Sequence, residues 1–132
     1  MHLNAFAIVA SGVSMFLVGW LWYSPLLFAR PWMEANGFTE ESLRERGGMG
    51  RILGGAFALT LVCAANLAAY LGGPETTASW GATAGALTAV WIASAIGILY
   101  LFEHKTLKLF LINAGYFVVV FPMMGLILGA WR

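Results

Sequence analysis

Glu103-His104-Lys105 is a compact group of titratable side chains that follows a long apolar segment. A carboxylate and an imidazole beside a membrane can relay protons or hold a cation. Neighbouring residues on a helix point about 100° apart, so Glu103 and His104 do not automatically face one site. The simpler interpretation is a solvated His104 and an exposed ion pair between Glu103 and Lys105, Lys108 or a loop arginine, worth ~0–1 kcal/mol. We favour this simpler interpretation.

The remaining reactive residue types are sparse. The chain contains no Asp, which excludes a Ser–His–Asp set, and Cys63 is its single cysteine, which excludes a dithiol pair within one chain. His2 and His104 are expected on opposite sides of a membrane, without Cys or His neighbours, so we predict no metal site and no cofactor. No apolar segment has a central acidic residue, unlike small four-span proton-coupled exporters. We therefore expect that the protein is not an enzyme.

Two amides lie within apolar segments, Asn66 and Asn113. Burying an unpaired amide costs several kcal/mol, so each should face protein or a cavity rather than lipid. One interpretation is a hydrogen bond between helices, worth about 1 kcal/mol. The other is the polar lining of a path for a solute, and the candidate residues for that lining are Trp22, Tyr23, Asn66, Glu103, His104, Asn113 and Tyr116.

The stretch Gly19-Trp-Leu-Trp-Tyr-Ser-Pro-Leu-Leu-Phe-Ala-Arg-Pro-Trp32 ends the first apolar segment. Trp and Tyr concentrate at membrane–water interfaces, and Pro25 should kink or break a helix near Ser24. The simplest interpretation is an interfacial anchor. The alternative is that a broken helix end forms part of a site.

Composition decides which solvent must surround these residues. The 132 residues are 61% hydrophobic and 10% charged, with a mean hydropathy of +0.82, whereas soluble domains are about 25% charged. Membrane lipid is therefore the expected solvent. A net charge of +1 without a basic patch argues against a nucleic-acid partner.

Four apolar segments are long enough to cross a bilayer as helices, because about 20 residues span roughly 30 Å. They cover residues 4–23, 52–71, 79–102 and 107–131. The polar loop 30–51 should hold a short amphipathic helix capped by Thr39. We predict an all-α integral membrane domain over residues 1–132, with four spans in two hairpins.

The third span carries a small residue at every fourth position, namely Gly81, Gly85, Ala89, Ala93 and Gly97. Such rows let helices pack closely in lipid. Because the row offers more packing surface than one protomer needs, we expect a homo-oligomer.

Basic residues predict the orientation. Arg30, Arg44, Arg46 and Arg51 precede the second span, Lys105 and Lys108 precede the fourth, and the opposite side has only Arg132. The positive-inside rule places both hairpin tips in the cytoplasm and both termini outside.

The run Gly19–Phe28, then Trp32-Met33, Gly37-Phe-Thr-Glu-Glu41, Tyr100-Leu-Phe-Glu103, Leu111-Ile-Asn-Ala-Gly-Tyr116 and Met124-Gly125 resembles the bacterial membrane family called domain of unknown function 1761. The resemblance covers nearly the whole chain and implies a small four-span protein of the bacterial inner membrane, with no activity attached.

Two functions fit these features. The first is a transport or channel-like protein for a small solute or ion, motivated by amides in spans and prolines that break helices. The alternative is a non-catalytic membrane interaction or envelope-support protein that assembles through small-residue helix faces.

Overall fold

The computed structural model describes residues 3–132, and this part of the chain folds into six α-helices without a strand. His2 lies outside the described residues. The helices are α1 (Ala5–Trp22), α2 (Ala29–Asn36), α3 (Glu40–Arg46), α4 (Met49–Tyr70), α5 (Ala78–Phe102) and α6 (Leu107–Ala130). Four of them, α1, α4, α5 and α6, are long and apolar enough to cross a membrane. This confirms the predicted all-α, four-span architecture of a multi-pass membrane protein.

The first span has a defined start and a defined stop. The Asn4 side-chain oxygen accepts hydrogen bonds from the backbone N–H groups of Phe6 and Ala7, at 3.0 and 3.3 Å, which satisfies donors that a helix start leaves free. The helix ends at Trp22, and the turns that follow contain Pro25. The prediction that Pro25 breaks the helix is confirmed, because proline has no N–H to continue the ladder.

The polar segment contains two helices where the sequence predicted one. The predicted cap is present, since the Thr39 hydroxyl accepts from the Ser42 backbone N–H at 3.0 Å. The additional helix is α2, which ends at Gly37 in the left-handed conformation, φ 71°. It packs against α6, a contact that the local sequence does not reveal.

The α5–α6 hairpin is the closest helix pair. A Cβ atom built on Gly81 would collide with the carbonyl group of Gly125 and lie 3.1 Å from the Cα of Gly129. One built on Gly85 would collide with Phe121. The two backbones therefore touch directly, as small-residue faces allow.

The row of small residues on α5 packs largely against α6 of the same chain. Its first three members are buried against α6. Gly97 faces the ring of Phe110, and Ala93 is half-buried. The small-residue face of α5 was expected to be available for assembly. Most of it instead contacts α6 in the same hairpin.

The spans do not share the interior equally. Helix α6 packs against α5, α1 and α2, whereas α4 packs mainly against α1. Val120 and Met124 of α6 are fully buried, together with Ala7 of α1 and Ala64 of α4. Helix α6 is therefore the centre of the bundle, and α4 lies at its margin.

Candidate functional site

Asn113 joins three segments of the chain through its side-chain amide. The Tyr23 hydroxyl donates to Asn113 Oδ1 at 2.7 Å, and Asn113 Nδ2 donates to the Tyr100 hydroxyl at 2.7 Å. Tyr23 follows α1, Asn113 lies on α6 and Tyr100 lies on α5. This amide bridge is partly buried, and hydrogen bonds strengthen where the dielectric constant is low. It therefore fixes the position of the end of α1 on the α5–α6 hairpin.

Trp22 inserts between α1 and α6. Its Nε1–H donates to the Ile112 carbonyl at 2.8 Å, so the polar edge of the indole is satisfied away from water. The ring lies over Gly115, where an added Cβ would approach Trp22 Cζ2 to 3.2 Å. Gly115 thus provides the space that the indole occupies.

Tyr116 makes a reciprocal contact with α1. Its hydroxyl donates to the Met15 carbonyl at 2.7 Å, and a Cβ on Gly19 would lie only 2.9 Å from that hydroxyl oxygen. Tyr116 is 9% exposed. A glycine on each helix therefore accepts a bulky side chain from the other, in the pairs Gly19 with Tyr116 and Gly115 with Trp22.

Aromatic rings surround the amide bridge. The Tyr23 ring is 5.6 Å from that of Tyr116 and 6.0 Å from that of Trp32, in edge-on geometry, while Trp22 and Phe28 are 4.8 Å apart. The turns around Pro25 make this possible, since they fold Phe28 and Trp32 back against the end of α1. The broken helix end is thus part of the site, whereas Trp20, 74% exposed, points outward as an interfacial anchor would.

Asn66 does not join this cluster, and the expectation that it faces protein is wrong within the protomer. Its side chain is exposed, and Nδ2 donates only to the Val62 carbonyl of its own helix, at 3.2 Å. The physical reason is the rotation of α4, which turns Thr60, Ala64 and Leu67 toward the bundle. An amide at position 66 must then point away from it.

Glu103 and His104 are both exposed and form no lining with Asn113. They occupy the turn that ends α5, where His104 has a positive φ of 57°. The His104 N–H donates to the Leu101 carbonyl, and the Lys105 N–H donates to the Tyr100 carbonyl at 2.9 Å. This is a Schellman motif, in which glycine usually takes the left-handed position.

His104 is exposed, as the simpler interpretation expected, but ion pairing at this end of the bundle differs from the pair expected for Glu103. The ion pair found in the described part of the chain joins Lys108 to Glu34 at 3.9 Å, with both side chains more than half exposed. It does not involve Glu103. Exposed pairs contribute little free energy, but this one shows that the start of α6 lies beside α2.

The sequence-based list of site residues omitted Tyr100, Gly19 and Gly115. One signal could have found Tyr100. A short turn after Phe102 makes α5 and α6 antiparallel neighbours, so a polar ring close before the turn lies within reach of an amide soon after it. The two glycines had no local signal, because only the position of the opposing ring shows why a side chain cannot fit.

Chemically, the arrangement is a clamp, in which Trp22, Tyr23, Tyr100, Asn113 and Tyr116 hold the end of α1 against the α5–α6 hairpin. Each strong donor from Trp22, Tyr23 and Tyr116 is already paired with an acceptor on another part of the protomer. Within residues 3–132, no group of three or more His, Cys, Asp or Glu side chains could hold a metal ion. The Tyr100 hydroxyl accepts from Asn113, and its own proton has no acceptor assigned among the described residues.

The clamp residues Trp22, Tyr23, Tyr100, Asn113 and Tyr116 lie in stretches that carry the family resemblance. No curated protein and no solved structure matches the chain. A family model described as a protein of unknown function, DUF1761, matches residues 6–129, nearly the full length of the sequence. The chain therefore belongs to the DUF1761 family.

Proposed function

We propose that this chain is a non-enzymatic protein of the bacterial inner membrane that assembles into a homo-oligomer through the outer face of α4. That face is defined by five exposed residues at helical spacing, Gly55, Ala58, Leu59, Val62 and Asn66. The physiological role would be that of an interaction or envelope-support protein.

The observation that carries the proposal is the exposed amide of Asn66. Asn66 lies in the second half of α4, in a segment with the hydropathy of a membrane span. Its Oδ1 atom accepts no hydrogen bond from the described residues, and its Nδ2 atom bonds only its own helix. A polar group left facing lipid is costly, so a partner helix that supplies a second amide would lower the free energy.

A second copy of the same chain is the partner that fits best. An amide contains both a donor and an acceptor, so two Asn66 side chains related by a two-fold axis can exchange hydrogen bonds. The small residues Gly55 and Ala58 lie on the same face, and a Cβ on Gly55 would meet nothing within 4 Å. Small residues permit the close approach that interhelical hydrogen bonds require.

The orientation is also part of the proposal. The arginines around α2, α3 and the start of α4 lie at the same end of the bundle as Lys105 and Lys108, as the Glu34–Lys108 contact requires. At the other end, Arg132 Nη1 donates to the Leu71 carbonyl at 2.8 Å. The positive-inside rule then favours a cytoplasmic position for the basic end and external termini. Reporter fusions at each terminus that are active only in the cytoplasm would contradict this orientation.

Self-association is tested by measuring the dimerisation constant in detergent micelles by sedimentation equilibrium. Asn66→Leu should weaken dimerisation by about fivefold, which corresponds to about 1 kcal/mol for interhelical amide bonds. Thr83→Val is the matched control, because Thr83 is exposed on α5 and also bonds only its own helix, through the Ser79 carbonyl. A monomer at all concentrations, or equal losses for both variants, would refute the proposal.

A transport function remains a second candidate, and Asn66 is again the reason. In an oligomer joined near α4, this amide would lie between protomers, where a polar path for a small solute or ion could form. Flux through proteoliposomes that Asn66→Leu abolishes, while the protein still dimerises, would favour transport. Dimerisation without flux of ions or small metabolites would favour the interaction role.

A further inference from the structure

The α5–α6 hairpin carries a groove that lies beside the clamp and shares Tyr100 with it. It has a volume of about 420 Å³ and opens outward at the surface of the two spans. Its walls are apolar and include Gly97 and Ile98 of α5 together with Leu107 and Phe110 of α6. Gly97 contributes to the depth of the groove, since its Cβ would lie 3.1 Å from the Phe110 ring. The size falls within the usual range for small-molecule sites.

Four polar side chains line the groove. Tyr100, Lys105 and Thr106 lie toward the turn, whereas Ser94 lies farther along α5. Lys105 is exposed, and its backbone N–H donates to the Tyr100 carbonyl at 2.9 Å. Tyr100 also lines the groove, and its hydroxyl is fixed as an acceptor by Asn113. A cation therefore lies at one end of an apolar groove.

We propose that this groove binds a phospholipid with an anionic headgroup, with an acyl chain between Ile98 and Phe110 and the phosphate beside Lys105. Charge and polarity together select this occupant. A free phosphate would leave the apolar walls unused, and a zwitterionic headgroup would bring its own ammonium group near Lys105. An anionic amphiphile satisfies both ends, because its chain removes apolar surface from water and its phosphate pairs with the lysine.

The site also has the position that a lipid requires. Lys105 and Thr106 belong to the turn between two spans, the level at which headgroups meet water. The walls continue from there along both spans, toward the bilayer interior. The polar end of a bound lipid would thus lie at the headgroup level without displacing any helix.

The test is native mass spectrometry of the full chain in a non-ionic detergent, titrated with dioleoyl phosphatidylglycerol or dioleoyl phosphatidylcholine. One phosphatidylglycerol per protomer should be retained preferentially. Lys105→Gln should weaken its binding by about fivefold, the effect of one basic residue near a lipid phosphate. Lys108→Gln is the control, because it removes the same charge from a side chain that does not line the groove and should change binding by less than about twofold.

A second pair of variants tests the apolar walls. Ile98 and Leu99 are both 58% exposed, but only Ile98 lines the groove. Ile98→Trp should reduce phosphatidylglycerol retention at least several-fold because the indole fills the groove, whereas Leu99→Trp should leave retention unchanged. Equal binding of the two lipids, equal effects within either pair of variants, or equal retention of inorganic phosphate would overturn the proposal.

Discussion

Helices α5 and α4 are both apolar spans of similar length, yet they relate to the protomer in opposite ways. Helix α5 is joined to α6 by backbone contact at Gly81 and Gly85 and by the Asn113–Tyr100 hydrogen bond. Helix α4 leaves Gly50, Gly54 and Gly55 with open space around them and points its amide outward. Both helices have small residues and polar side chains. Their difference teaches that such residues mark a contact only when a complementary surface faces them.

The amides show the same contrast at the level of single side chains. Asn113 uses its oxygen and its nitrogen to connect Tyr23 with Tyr100 across helices. Asn66 uses its nitrogen within its own helix. The first amide is a cross-link of the protomer, and the second is available to another chain. The comparison therefore separates the side of the bundle where the amide joins helices from the side where it does not.

The largest expected effect distinguishes the glycines of the two helices. Gly81→Ala should destabilise the protein by about 3 kcal/mol, because the new Cβ meets backbone that cannot rotate away. Gly54→Ala should be neutral or stabilise by up to about 1 kcal/mol, since nothing lies within 4 Å and alanine is the better helix former. Unfolding in sodium dodecyl sulfate, followed by circular dichroism, measures both. Similar losses for the two variants would remove the distinction between the helix faces.

The two amides provide the next comparison. Asn113→Leu should cost about 2 kcal/mol of protomer stability, because it leaves the Tyr23 hydroxyl without its acceptor in a partly buried position. Asn66→Leu should leave protomer stability unchanged within about 0.5 kcal/mol while it weakens self-association. The same unfolding assay applies, performed at a protein concentration where the chain is monomeric. If Asn66→Leu destabilises the monomer as much as Asn113→Leu, α4 is better packed than the structure indicates.

Two tryptophans near the end of α1 sharpen the contrast further. Trp22→Phe removes the donor to the Ile112 carbonyl and should cost about 1 kcal/mol, a typical net value for one hydrogen bond. Trp20→Phe, at a position that is 74% exposed, should cost less than about 0.5 kcal/mol. Unfolding titrations of both variants and the parent protein measure the two changes in the free energy of unfolding. Equal costs would return Trp22 to the role of an interfacial anchor.

The smallest expected effect concerns the turn between α5 and α6, next to the proposed lipid-binding groove. His104 has a left-handed backbone, φ 57°, that glycine adopts without steric cost. His104→Gly should therefore stabilise the hairpin by about 0.5 kcal/mol, the favourable change in steric strain being partly offset by the greater freedom of the unfolded chain. His104→Ala, which keeps the Cβ, is the control and should show no gain. A loss of stability in the glycine variant would mean that the imidazole itself makes a stabilising contact.

The sequence by itself determined the four spans, because apolar length and lipid thickness are sufficient to identify them. It also determined the break at Pro25 and the cap at Thr39, since both depend on backbone groups only a few residues away. The register of α5 on α6 was partly accessible, as a short turn and a four-residue repeat of small residues restrict how the two helices can meet.

Tertiary structure alone decided where each face points. The rotation of α4 places Asn66 outside and Asn113 remains inside, although both amides occur in equally apolar surroundings along the chain. The small row on α5 and the glycines opposite Trp22 and Tyr116 likewise gained their roles from residues up to about a hundred positions away. The physical reason is that hydropathy reports how much of a helix must avoid water. In a bilayer every apolar face of a helix avoids water, whether it contacts lipid or protein. Only packing determines which face contacts protein.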